Sequence, residues 1–268
     1  MARIRLPVRA SAALCWAGLF AMSAGRAGAG EVACRFEAGV ITVPAVVGGV
    51  AADYILDTGS PTTQLHETKA RMEGIAEDRL TGDVRLAGMT VRGATLNVAD
   101  LDVRNWNLPT PSGGVIGADV LRAFVVDVSY APCRVRLWRP GEAPKFQGSV
   151  MPLSWDAGRP TAEAEVSDDV VAVRGRFVVA TGANAPVRLA DDLARTPGAS
   201  RPDELYPQGV WLARLPQVRF AGAVGRDVAA GLMKPDGDVA GVLGGAVLAH
   251  FRLRFDFPAG RLIVRPAR

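Results

Sequence analysis

The 268-residue sequence predicts an all-β fold of two tandem β-barrel lobes with short helices. Thirty glycines and eighteen prolines against 6% aromatic residues describe a loop-rich chain and disfavour a helical bundle. Apolar and polar residues alternate in runs: Leu253, Phe255 and Phe257 interleave with Arg252, Arg254 and Asp256, the period of a strand with one buried face. The chain also repeats itself. Residues 114–128 (GVIGADVLRAFVVDV) are echoed at 241–255 (GVLGGAVLAHFRLRF), and residues 54–60 (YILDTGS) at 177–183 (FVVATGA). With 49% hydrophobic and 22% charged residues, disorder is excluded.

Taken in order, residues 1–29 carry Arg3, Arg5, Arg9 and Arg26 and no acidic residue. A positive start, a mostly apolar stretch at 11–24 and the small residues Ala27-Gly28-Ala29 read as a cleaved secretory signal, with the mature chain beginning near Gly30. The apolar stretch is shorter than the roughly 20 residues that span a bilayer, so no stable membrane anchor is expected after cleavage. Cys15 follows Leu14 and not a small residue, which argues against a lipoprotein cleavage box. Without the leader the formal charge of +4 falls to zero, 27 basic against 27 acidic residues, and the electrostatic case for a nucleic-acid partner disappears. Arginine outnumbers lysine 28 to 3, and a bacterial periplasm is the expected compartment. Cys34 and Cys133 remain as an even pair in an exported chain and predict a disulfide within the first lobe. Cys34 opens the first mature strand, and Cys133 sits at the turn into the lobe's closing strand.

The two repeated motifs stand 60 residues apart in copy one (57 to 117) and 64 in copy two (180 to 244). Their order and near-equal spacing divide the mature chain into lobes at 31–140 and 149–268. A linker at 141–148 joins them, entered through Pro140-Gly141 and containing Pro144. Each copy has an apolar strand before its T-G loop, a short helix-like stretch after it, and a closing strand beyond a Pro-containing turn.

Asp57-Thr58-Gly59-Ser60 after an apolar strand, followed at distance by Val115-Ile116-Gly117, resembles one lobe of an aspartic peptidase. That family includes the retropepsins, dimers of one lobe, and the pepsins, with two lobes in one chain; the duplication is similar to the two-lobed form over nearly all of the mature chain. The resemblance implies barrel lobes, peptide-bond hydrolysis, a peptide or protein ligand and no cofactor. It makes Asp57 the catalytic carboxylate and Thr58 one half of a hydrogen-bonded grip with Thr181. Ser60 would bond the outer oxygen of Asp57, Gly59 and Gly182 would leave backbone room around the carboxylate, and Ile116-Gly117 and Leu243-Gly244 would pack behind the loops. The chemistry needs two carboxylates close enough to share one proton.

Here the sequence departs from the family. Ala180 stands where the second Asp belongs, with Thr181 and Gly182 directly after it. Asp191 and Asp192 lie a helix away and do not substitute. On this reading Ala180→Asp alone restores slow cleavage. In lobe one only about 73–82 is available for a hairpin over substrate, which is short. In lobe two, 197–217, with Tyr206 and Trp211, is long enough for one.

Other candidates carry less. Ser60, His66 and Asp57 invite a nucleophilic triad, but there is no G-x-S-x-G elbow and a helix at this point directs His66 outward. His250 falls on a short apolar helix. Two His and two mature Cys offer no metal-ligand spacing, and no dinucleotide or phosphate-binding glycine pattern is present. The segment 107–112 reads as an ordinary surface connection. Three functions remain: a peptide- or protein-binding cleft with impaired hydrolysis, an active endopeptidase pairing Asp57 from two chains in a homodimer, and an interaction protein with no cleft function.

Overall fold

The computed structural model of the chain describes residues 30–169, 171–190, 203–206, 210–233 and 237–267. The leader at 1–29, Asp191 and Asp192, and the side chains of Tyr206 and Trp211 lie outside the described residues.

Lobe one runs β1 (Gly30–Ala33), β2 (Arg35–Glu37), β3 (Val40–Val47), β4 (Val50–Leu56), β5 (Gln64–His66), α1 (Glu67–Met72), β6 (Arg79–Leu86), β7 (Met89–Ala99), α2 (Asp102–Asn105), β8 (Gly114–Ile116), α3 (Ala118–Leu121), β9 (Val125–Tyr130) and β10 (Cys133–Trp138). Lobe two runs β11 (Ser149–Pro152), β12 (Ser154–Asp156), β13 (Arg159–Ser167), β14 (Ala172–Val179), β15 (Val187–Ala190), β16 (Asp203–Tyr206), β17 (Val210–Phe220), β18 (Ala223–Met233), β19 (Gly241–Leu243), α4 (Gly245–Leu248), β20 (Phe251–Asp256) and β21 (Arg261–Pro266).

Six strands close a barrel in each lobe. The order is β3-β4-β8-β5-β7-β6, with β6 returning to β3, and β13-β14-β19-β15-β18-β17, with β17 returning to β13. Closure pairs the edges that an open sheet would leave free. Matching hairpins are turned by the same dipeptide: Glu37 pairs with Val40, Asp156 with Arg159, Leu86 with Met89 and Phe220 with Ala223, each across an Ala-Gly pair. Both residues of each pair have positive φ, for example 48° at Ala38 and 81° at Gly39. This two-residue turn has the twist that flanking strands demand, and it outweighs the cost of about 1 kcal/mol for alanine in that region.

The lobes are joined by a separate sheet in the order β1-β10-β9-β20-β21-β11. At its centre β9 and β20 pair antiparallel, with Val128 opposite Leu253 and Val126 opposite Phe255, all buried. Between them Arg254 and Asp127 face each other in a bidentate pair, 2.5 and 2.6 Å. Trp138 Nε1 donates to the same carboxylate at 2.9 Å. Arg254 also donates to Pro144 O and lies over the Phe146 ring, so the inter-lobe segment is pinned to the sheet. Cys34 and Cys133 are disulfide-bonded, their Cα atoms 5.0 Å apart and 99 residues apart in sequence.

After α1, Glu73 and Gly74 form a turn and the chain enters barrel strand β6 at Arg79, so 73–82 contains no covering hairpin. In lobe two β16 and the start of β17 pair antiparallel, with Asp203 opposite Leu212.

Urea unfolding tests two of these contacts. Replacing Cys34 and Cys133 with serine frees a loop of nearly a whole lobe and is expected to cost about 4 kcal/mol. Asp127→Ala leaves a buried guanidinium unpaired and is expected to cost about 3 kcal/mol in the same assay. Unchanged midpoints would refute these roles.

Candidate functional site

Asp57 is the first residue beyond β4, and Ala180 the first beyond β14. Each of these strands runs parallel to its neighbour, β4 beside β8 and β14 beside β19. Asp57 N therefore donates to Ile116 O at 3.0 Å and Ala180 N to Leu243 O at 2.9 Å, and both acceptor residues are fully buried. The loops then double back over Gly117 and Gly244. A Cβ at Gly117 would lie 2.6 Å from Thr62 O, and one at Gly244 2.0 Å from Ala185 O. The apolar-Gly motif is a clearance requirement for the loop above it.

The two loops meet tip to tip. Thr58 Oγ1 donates to Val179 O at 2.5 Å, and Thr181 Oγ1 to Leu56 O at 2.6 Å. Each hydroxyl also accepts from the opposite backbone, Thr181 N to Thr58 Oγ1 at 3.2 Å and Thr58 N to Thr181 Oγ1 at 3.1 Å. Asp57 and Ala180 sit in equivalent places across this pseudo-two-fold axis. A Cβ at Gly182 would be 2.4 Å from Asp57 Cβ, and one at Gly59 would be 2.4 Å from Ala180 Cβ.

Asp57 is only 2% exposed. Its Oδ1 accepts from Gly59 N at 2.8 Å and Gly182 N at 3.2 Å. Its Oδ2 accepts from Arg104 Nη2 at 2.6 Å, and the same nitrogen donates to Gly182 O at 3.2 Å. The family resemblance places Ser60 on this outer oxygen; instead Ser60 Oγ donates to Thr62 O at 3.0 Å. A charged donor makes the stronger bond to a carboxylate and takes the position from a hydroxyl.

Arg104 arrives on α2, which two contacts anchor. His66 Nε2 lies 3.0 Å from Asp102 Oδ1. Asn105 Oδ1 accepts from Ser112 N at 2.9 Å and Ser112 Oγ at 2.7 Å, both residues being buried. His66 is buried, not directed outward as expected: its Nδ1 accepts from Thr68 N at 3.3 Å and caps α1, which leaves Nε2–H to donate to Asp102. With both ring nitrogens so engaged, Ser60, His66 and Asp57 form no triad. The segment 107–112 is exposed at 107 and 109–111 but held at Leu108 and Ser112, and so does more than connect. His250 is exposed, just past α4. Arg188 on β15 is also exposed, and its Nη2 donates to Asn184 Oδ1 at 3.1 Å. Desolvation by surrounding protein, then the like charge of Arg104, hold the Arg188 guanidinium below its ordinary pKa, with Asp57 opposing. Among the described residues no three His, Cys, Asp or Glu side chains converge on a metal-sized site.

Two barrels joined by a six-stranded sheet, with duplicated T-G loops clasped by their threonines, are the architecture of the aspartic peptidases, and the fold of this chain is aspartic peptidase-like. Residues 43–124 match the aspartyl protease family. Among solved structures the chain is similar to the aspartic proteinase from Irpex lacteus, with 12% identity, a TM-score of 0.55, and coverage of 90% of this chain and 98% of that one. No curated protein matches the sequence.

Sequence reasoning missed Arg104, Asp102, Asn105 and Arg188. One signal was available. The connection from β7 to β8 runs over 100–113, fourteen residues, whereas its counterpart in lobe two runs over 234–240, seven. The extra chain in copy one carries the arginine.

Thr58→Val, which orphans Val179 O and Thr181 N, is expected to lower stability by about 1 to 3 kcal/mol in urea unfolding. Arg104→Ala removes the cation from a buried carboxylate and should cost about 2 kcal/mol, less than for a fully buried pair because the guanidinium is partly exposed. Adding Asp57→Asn to Arg104→Ala should recover much of that loss; strictly additive costs would show the pair to be uncoupled.

Proposed function

We propose that this is an exported aspartic peptidase-like protein whose cleft binds a peptide or partner protein without hydrolysing it efficiently. One observation carries the reading. The Asp57 carboxylate is surrounded by two backbone N–H groups and the Arg104 guanidinium, while the equivalent position across the axis offers only the Ala180 methyl. Hydrolysis in this family uses two carboxylates sharing a proton, one as base to the attacking water and the other as acid to the carbonyl. The outer oxygen of Asp57 is held by the Arg104 guanidinium and is not free to take a proton from water. General acid–base groups are each worth about 10² to 10⁴ in rate, so losing the pair is severe.

The active two-chain dyad has less support. Asp57 already lies within an intramolecular interface, and bringing a second Asp57 beside it requires breaking the four threonine bonds. For a binding role, Val103 and Trp106 stand 81% and 74% exposed beside Arg104 in sequence, apolar side chains open to a ligand. Export is supported by the leader pattern and is consistent with the disulfide.

The test is hydrolysis of a diverse peptide pool from pH 3 to 7. The unmodified protein should be indistinguishable from Asp57→Asn. Ala180→Asp alone should also stay inert, contrary to the expectation from sequence, because Arg104 neutralises the new pair; Ala180→Asp with Arg104→Ala should cleave slowly. Cleavage by the unmodified protein that Asp57→Asn abolishes would overturn the proposal.

A further inference from the structure

We infer that the cleft selects peptides bearing a carboxylate, held between the guanidinium groups of Arg104 and Arg188; the inference rests on the peptide-binding reading above.

Three charged groups border one turn: the Asp57 carboxylate accepts from Gly182 N and Arg104, and the guanidiniums of Arg104 and Arg188 donate to Gly182 O and Asn184 Oδ1. Their sum is one positive charge. The two guanidiniums flank one short turn. Arg104 Nη2 reaches Gly182 O, and two residues further along Asn184 Oδ1 accepts from Arg188 Nη2.

Neither arginine has its donors filled by the described residues. Elsewhere in lobe two Arg174, Arg176, Arg214 and Arg261 each meet a carboxylate. Arg188 has only the neutral amide of Asn184 among the described residues. A guanidinium carries five N–H donors in a planar fork, and Arg104 commits a single nitrogen, Nη2, to Asp57 and Gly182. Its remaining donors have no partner among the described residues. Arg104 is anchored through α2 at Asp102 and Asn105, so it is presented rather than free to swing.

A carboxylate matches this arrangement. It accepts two parallel bonds from one guanidinium and shares its charge with the second. An ammonium or guanidinium on the ligand would meet net repulsion. Because Arg104 and Arg188 are partly solvated, the attraction is moderate and salt-sensitive, a selectivity of about tenfold rather than thousands.

The experiment is isothermal titration of the mature chain with four acetylated peptides of sequence Leu-Ala-Gln-Leu-Ala or its variants. These are the free acid, its C-terminal amide, the amide with central Gln replaced by Glu, and the amide with it replaced by Lys. At least one carboxylate-bearing peptide should bind tenfold or more tighter than the neutral amide, and the Lys peptide should bind no better than the amide. Comparing the free acid with the Glu peptide tells a terminal carboxylate from a side-chain one. The advantage should shrink between 20 and 200 mM salt. Arg188→Gln, which alters an exposed side chain, should reduce it to less than threefold with an unchanged unfolding midpoint, and Arg188→Lys should fall between. Equal binding of all four peptides, or a preference unaffected by Arg188→Gln, would overturn the charge selectivity and leave the peptide-binding reading standing. Absence of binding for every peptide at millimolar concentration would overturn both.

Discussion

Thr58 and Thr181 each hold one hydroxyl between two groups of the opposite lobe, giving a proton to a carbonyl at a strand end and taking one from a backbone N–H. Both residues are fully buried, so no water stands ready to replace a lost partner. The exchange fixes the two T-G loops against each other to within hydrogen-bond tolerance. With the loops fixed, Gly182 N is set against Asp57 and Gly59 against Ala180, and the barrels at whose ends these loops sit are held in register. The sheet built from β9 and β20 makes the second connection between lobes. Together they hold the centre rigid whether or not the chemistry is intact, because nothing in the clasp depends on a second carboxylate.

That independence leaves Asp57 with a problem of its own. A buried carboxylate without a partner is costly, and proton sharing with a facing acid is one way of lowering the cost. This chain has another. Two amide N–H groups take one oxygen and a guanidinium takes the other. The methyl of Ala180 and the presence of Arg104 are therefore two halves of one electrostatic arrangement. The extended β7–β8 connection gains its significance here: α2, tied down through His66 and Ser112, brings a cation to a place that neither barrel supplies.

The features legible in the sequence were those encoded by local pattern and by repetition. The duplicated T-G and apolar-Gly motifs located both loops and the parallel strand pairs behind them, since a glycine is demanded wherever Thr62 O or Ala185 O comes within 3 Å of where a Cβ would sit. The pairing of Cys34 with Cys133 came from their positions at the two terminal strands of a lobe. Ser60 and His66 depart from the pattern of the sequence for a common reason. Their hydrogen bonds are settled by competition, Ser60 losing the carboxylate to an arginine 44 positions later and His66 finding an aspartate 36 positions later. Neither partner lies within a repeating pattern, so periodicity is silent about them. The length mismatch between 100–113 and 234–240 signalled that something had been added, though not its charge.

The disulfide also decides how this molecule would answer a mechanical load. Tension applied between residue 30 and the C-terminus enters at Cys34, crosses the sulfur bridge to Cys133 and continues along the chain toward lobe two. Along the covalent path the 98 residues between the two cysteines, the first barrel among them, are bypassed, and load reaches them only through non-covalent contacts such as the pairing of β9 with β20. Lobe two has no such shunt among its described residues, and its chain lies in the covalent path of the load. Under pulling, lobe two would extend while lobe one kept its shape, Asp57 still seated on the amide of its own Gly59 after the threonine clasp had parted.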